Sequence, residues 1–175
     1  RDRPDQVICL MGNHERMLLD FIDDPLGRGS MWLRNGGVAT LESFGVDASA
    51  ALIGPDAAMD LCSTFEELLD PEMTTWLRQL PLQWHSVIVW CVHAAMDPAR
   101  APTALRSKTM LGGHADFLKM PRQDDICVVH GHTTVVTPGN ANSRIAIDTG
   151  AYDTGCLTAV HVLQADCRFI QASQP

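Results

Sequence analysis

The chain has 175 residues, of which 46% are hydrophobic and 19% charged, with a net charge of −8. That is the make-up of an ordinary folded domain, with enough length for a real core, and it argues against disorder. The acidic balance and the lack of a basic stripe exclude a nucleic-acid partner, and no apolar run approaches the roughly 18 residues needed to span a bilayer. A phosphate ligand is compatible with that charge, because bound metal ions can supply local positive potential. The six cysteines (Cys9, Cys62, Cys91, Cys127, Cys156 and Cys167) are scattered without a CxxC pair. That spacing suits neither a disulfide framework nor a zinc knuckle, and points to a reducing, cytoplasmic setting.

In chain order, Val7 to Met11 is predicted as a short buried strand, breaking at Gly12 and presenting Asn13, His14 and Glu15 where a helical pattern begins. A strand, a sharp turn and a helix are how an open α/β sheet delivers side chains to the crevice at its strands' carboxyl ends. Met17, Leu18, Phe21 and Ile22 are spaced for one buried helical face, and Pro25, Gly27 and Gly29 end it. Met31 to Phe44 reads as helical again, broken at Asn35-Gly36-Gly37, with Gly45 as a C-cap. Ala48 to Leu80 reads as helices with short breaks. Pro55 opens one, Ser63 or Thr64 caps another, and Pro71 opens a last one through Trp76 and Leu77. Residues 25–82 thus form a helical insertion without clustered ligands, expected as a cap over a site.

From Ser86 the pattern changes. Val87 to Val92 is a continuous apolar run, predicted as a central strand buried on both faces, and it ends at His93. After a loop and a short helix comes Leu111-Gly112-Gly113-His114-Ala115-Asp116-Phe117. Ile126 to Val129 is another strand, ending in His130-Gly131-His132-Thr133. Further strands are expected at Arg144 to Ile147, Leu157 to Leu163 and Arg168 to Ile170. Residues 1–175 form one domain, helical in its first half and strand-rich in its second.

Three predicted strands therefore finish on turns bearing ligand-type residues: Asn13 with His14, His93, and His132 with His130 beside it. Each histidine alone is most simply a structural or surface residue, as His85 and His161 are expected to be. The coincidence at three strand ends is harder to dismiss, because parallel strand ends converge on one crevice. Imidazole nitrogens with an amide oxygen suit manganese, iron or zinc, leaving His14 for general acid chemistry. Gly12 and Gly131, each before a proposed ligand, are expected to allow a tight turn or a close backbone approach that a Cβ would hinder.

Gly12-Asn13-His14-Glu15, the Val92-His93-Ala94 turn, Gly131-His132-Thr133 and Ile147-Asp148-Thr149-Gly150-Ala151 occur in the order and spacing of the calcineurin-like metallophosphoesterases. The chain resembles most the bacterial serine/threonine phosphoprotein phosphatases, whose insertion the stretch Trp32-Leu33-Arg34-Asn35-Gly36-Gly37-Val38-Ala39-Thr40-Leu41 also resembles. The resemblance implies a four-layer α/β/β/α sandwich holding two divalent metal ions. Asn13, His93 and His132 would ligate the second metal, His14 would protonate the leaving alkoxide, and a metal-bound hydroxide would attack phosphorus. His114 stands where the family has a phosphate-binding arginine; lacking the bidentate fork, it would bind phosphate weakly. Ala95 departs from the family's glycine after the histidine turn.

Two family motifs, an Asp-x-His-Gly and a Gly-Asp-x-x-Asp-Arg-Gly, are absent from these 175 residues. They would carry the first metal's side-chain ligands, so the chain is read as the C-terminal portion of such a domain, lacking its N-terminal strands and holding part of the site. On that reading it would bind metal weakly, turn over slowly, and self-associate through exposed sheet edges. The substrate is expected to be a phosphoprotein or a small phosphoester. Alternatives are a dinucleoside tetraphosphatase or a non-catalytic interaction module on the same scaffold.

Overall fold

The computed structural model describes residues 7–48, 55–163 and 166–173. The chain divides at Leu80–Pro81 into two compact units, residues 1–80 and 81–175. The division falls where the sequence changes from helical to strand-forming.

The first unit is helical: α1 (Asn13–Asp23), α2 (Gly29–Trp32), α3 (Val38–Ser43), α4 (Pro55–Leu68) and α5 (Pro71–Arg78). Residues 7–12 lie outside any strand. Val7 and Ile8 are about half exposed. This corrects the expected strand: an apolar run becomes a strand only where a neighbour offers a ladder, and none of the described strands pairs with it. Helix α1 begins at Asn13, within the Asn13-His14-Glu15 stretch where the helical pattern was expected to begin, and the Glu15 carboxylate accepts the Gly12 backbone N–H at 2.9 Å. This is half of a capping box, since glycine has no side chain to reciprocate.

The predicted break at Asn35-Gly36-Gly37 is a wide turn over Leu33–Gly37, with Gly36 at φ 97°. Phe21, Trp32, Leu41, Leu61 and Phe65 form the core, with the Trp32 ring 4.8 Å from Phe21 and 5.7 Å from Phe65. The expectation that Ser63 or Thr64 caps a helix is corrected. Both lie inside α4, and their hydroxyls donate to the carbonyls of Met59 and Asp60 four residues back, the alternative such side chains have within a helix. The true cap is Asp70, which accepts the Glu72 N–H at 2.9 Å before Pro71 opens α5.

The second unit carries the strands. These are β1 (Gln83–Ser86), β2 (Val89–Val92), β3 (Cys127–His130), β4 (Gly139–Ala141) and β5 (Arg144–Ala146), in the spatial order β1-β2-β3-β5-β4. Strands β2, β3 and β5 run parallel, and the two outer strands are antiparallel. Between β2 and β3 the chain makes a long crossover containing α6 (Ser107–Gly112). After β5 come α7 (Ala151–Thr154) and a separate antiparallel pair, β6 (Cys156–Val162) and β7 (Cys167–Ser173). The protein is thus mixed α/β, with a five-stranded mixed sheet and helices.

Two strands differ from the sequence reading. The run Val87 to Val92 is not one strand, because Val87 at φ 47° and Ile88 form a turn between β1 and β2. Apolar residues in a turn hide it from pattern reading. Strand β4 went unpredicted because Gly139-Asn140-Ala141 has no apolar alternation; Asn142 at φ 52° and Ser143 at φ 59° turn it into β5.

Strand β2 also has two unlike faces. Trp90 and Val92 are buried against Met96, Met110 and Phe117 of the crossover. Val89 and Cys91 are half-buried, because they line with Val129 and Ile147 an open, largely apolar cavity of 820 Å³ that Thr158, Val160 and Val162 of β6 also line.

Candidate functional site

Strand register builds the site. Val92, the last residue of β2, pairs with His130, the last of β3, and His130 pairs with Ala146, the last of β5. The ladder runs on beyond these ends. Gly131 N–H donates to the His93 carbonyl at 2.9 Å, and Ile147 N–H to the His130 carbonyl at 3.1 Å. His93 thus stands one residue past its strand, and His132 and Asp148 each two residues past theirs, at the carboxyl ends of three adjacent parallel strands.

The structure brings two of the predicted residues together. His93 Nε2 lies 3.2 Å from His132 Nδ1, with the rings edge to face at 5.1 Å. Both side chains are half-buried. Nitrogens at that spacing subtend about 100° at an ion about 2.1 Å from each, an angle that both tetrahedral and octahedral coordination accept. The pair therefore fits one borderline divalent cation as two of its donors. Among the described residues, no group of three or more His, Cys, Asp or Glu side chains is gathered as for a metal ion.

Asp148, to which the sequence alone assigns no role, lies beside Gly131. A Cβ placed on Gly131 would sit 3.6 Å from Asp148 Oδ2. The Asp148 Oδ1 accepts the Gly150 N–H at 2.9 Å, and its carbonyl accepts the Val135 N–H at 2.8 Å, so the carboxylate is fixed beside the 131–135 turn. Counting residues past the strand end would have found it, by the argument that found His132. The same Cβ position corrects one of the two expectations for Gly131, the close approach, while the tight turn is present, the Thr133 N–H donating to the Gly131 carbonyl at 2.7 Å. The nearest atom is the His93 carbonyl oxygen at 3.5 Å, which is ordinary contact, so no close approach demands glycine there.

His130 is 2% exposed. Its Nδ1 lies 3.2 Å from the Gly131 carbonyl oxygen, and its ring meets Phe117 edge-on at 4.9 Å. Burial pushes this imidazole below its ordinary value, partly opposed by the Gly131 hydrogen bond. It is held neutral. Buried Arg144, at the start of β5, donates Nη1 to the carbonyls of Phe117 at 2.5 Å and Met120 at 2.9 Å, fixing the turn that follows His114.

His114 accepts the Asp116 N–H on Nδ1 at 3.3 Å and turns Nε2 toward Asp97 Oδ2 at 3.7 Å. Asp97 is held ionised below the usual carboxylate range, first by the Ala99 backbone N–H and then by the charges of His114 and Arg100. That carboxylate places negative charge beside the His114 imidazole. In the first unit, Asn13 and His14 are the first two residues of α1, Asn13 half-buried and His14 exposed.

No family model matches the chain, and no curated protein matches it. No helix among the described residues is long and apolar enough to cross a membrane.

Proposed function

We infer that the chain carries part of a metal-dependent phosphomonoester hydrolase of the calcineurin-like kind, acting on phosphoserine or phosphothreonine in proteins or on a small phosphoester. The observation that carries this reading is the His93–His132 pair, 3.2 Å apart at the carboxyl ends of adjacent parallel strands. Support comes also from the layering of the second unit, with crossover residues packed on one face of the five-stranded sheet and β6 across a cavity from the other. This is the order of layers that a four-layer α/β/β/α sandwich would need.

On this reading Asn13, His93 and His132 would hold one of two divalent cations, manganese first, with iron or zinc also suited by the donors. When bound, the metals would supply Lewis-acid charge neutralisation and an activated water. His14, exposed at the start of α1, would hand a proton to the departing oxygen. His114 would add at most a weak contact to phosphate, given Asp97 beside it. The setting would be cytoplasmic, in keeping with six free thiols.

Calorimetric titration of the 175-residue chain with manganese, with p-nitrophenyl phosphate as substrate, tests this. A weak site lost in His93→Ala and in His132→Ala, with slow or no turnover, is the expected result. Binding that survives both substitutions refutes the pair as ligands. Robust turnover refutes the reading that these residues hold only part of a site.

A further inference from the structure

His132 is held in an unusual backbone conformation. Its φ is 64°, and the Thr133 N–H donates to the Gly131 carbonyl at 2.7 Å. A bond from residue i+2 back to residue i around a central residue of positive φ is the rarer, strained form of γ-turn. For a residue other than glycine such a conformation persists only where the surroundings over-determine it. The Gly131 carbonyl is the hinge point of that turn.

The same carbonyl has a second neighbour, the Nδ1 of His130 at 3.2 Å. A carbonyl oxygen can only accept, so Nδ1 must carry the proton. The opposite nitrogen, Nε2, is buried and has no hydrogen-bond partner among the described residues. Among the described residues, the Gly131 carbonyl is therefore the one partner that selects the His130 tautomer. The ring itself cannot drift, being 2% exposed and braced edge-on by Phe117, which carries the Arg144 guanidinium 5.6 Å from its ring centre.

We propose that His130 is a positioning residue: its Nδ1–H, shared with the Thr133 N–H on the Gly131 carbonyl, locks the strained turn that aims the His132 Nδ1 at His93. The inference rests on the reading of His93 and His132 as a ligand pair for its consequence, and on the γ-turn alone for its geometry. It gives a buried histidine, two residues from a proposed ligand, the task of orienting that ligand through the backbone instead of through its ring.

The test separates the two layers. In the metal-free, ¹⁵N-labelled 175-residue chain, long-range ¹H–¹⁵N correlation at neutral pH reads the His130 tautomer. The Nδ1–H form is expected, and the Nε2–H form, usual in water, overturns the proposal whether or not the chain binds metal. Asparagine places an amide N–H near the position of Nδ1, whereas glutamine and leucine do not. His130→Asn is therefore expected to keep the Thr133 amide slow to exchange. His130→Gln and His130→Leu speed its exchange about tenfold or more while Val128 and Val129 stay protected. Zinc affinity by calorimetry follows the same order, falling about 10- to 100-fold in the Gln and Leu variants. Equal Thr133 exchange in all three variants overturns the proposal, as does loss of protection in His130→Asn together with the others. Absence of zinc binding in the unsubstituted chain counts against the ligand pair and leaves the tautomer and exchange readouts to decide the positioning role.

Discussion

Two glycines near the candidate site should respond to alanine in opposite ways. Gly131, next to His132, is not among the glycines of positive φ, and an added Cβ meets nothing closer than 3.5 Å. Gly131→Ala then has one favourable term, the reduced freedom of the unfolded chain at about 0.4–1 kcal/mol, against slight crowding of the His93 carbonyl. The net change stays within about 1 kcal/mol. Gly150 sits at φ 68°, and its Cβ would come within 2.9 Å of Thr134 Cγ2. The left-handed conformation costs alanine about 1–2 kcal/mol, and displacing Thr134 from its rotamer adds roughly 0.5–1.5 kcal/mol.

The two variants should therefore differ by about 2 kcal/mol, roughly 30-fold in the folding constant at 1.4 kcal/mol per decade. In the unit of residues 81–175, that corresponds to about 8–16 °C in melting temperature. Urea titration with hydrogen exchange read at the Val128 and Val129 amides isolates this unit. A Gly131→Ala loss above about 2 kcal/mol, or a Gly150→Ala loss below about 0.5 kcal/mol, would refute the reasoning.

In the first unit, Asp23 is held below its ordinary value of 3.8, first by the hydrogen bond from Arg78. Its folded value being depressed, the stabilisation is present above 3.8 and disappears as pH falls through and below it. Arg78→Ala should thus cost about 0.5 kcal/mol near neutrality, the pair being partly exposed, and nothing measurable well below the Asp23 range; a cost independent of pH refutes the assignment. The Cys62 thiol is pushed up to about 11 by burial and then by the Glu66 charge. Against a thiol at 9.0, its thiolate population at pH 8 falls about 100-fold. Iodoacetamide followed by peptide mass spectrometry should find Cys62 labelled last, and labelling at the rate of the half-buried thiols would contradict this.

What the sequence disclosed and what it withheld have physical reasons. His93 and His132 were legible because a parallel strand reads as an unbroken apolar run whose end can be counted, and strand ends converge. The β1–β2 turn was not legible, since Val87 and Ile88 are β-formers placed in a turn at a strained φ. Strand β4 was invisible for the converse reason, being set by pairing with β5 and not by its own residues. Val7 to Met11 has strand composition without a described strand to pair with, and composition cannot supply a ladder. Ser63 and Thr64 are cap residues by type, but a hydroxyl in mid-helix finds a carbonyl four residues back and leaves the helix unbroken. His130 stands two residues before His132 in the sequence, yet its bond to the Gly131 carbonyl depends on a burial that no periodicity reveals.

The His93–His132 contact joins residues 39 apart in sequence, and between them lies the whole crossover with α6. The chain must close this long loop before β2 and β3 can pair, and closing it costs entropy that rises with the logarithm of its length. The two imidazoles can meet only once that loop is closed. An ion bridging them would be a clasp put on a finished fold. By binding only the closed form, it would shift the balance toward the closed loop.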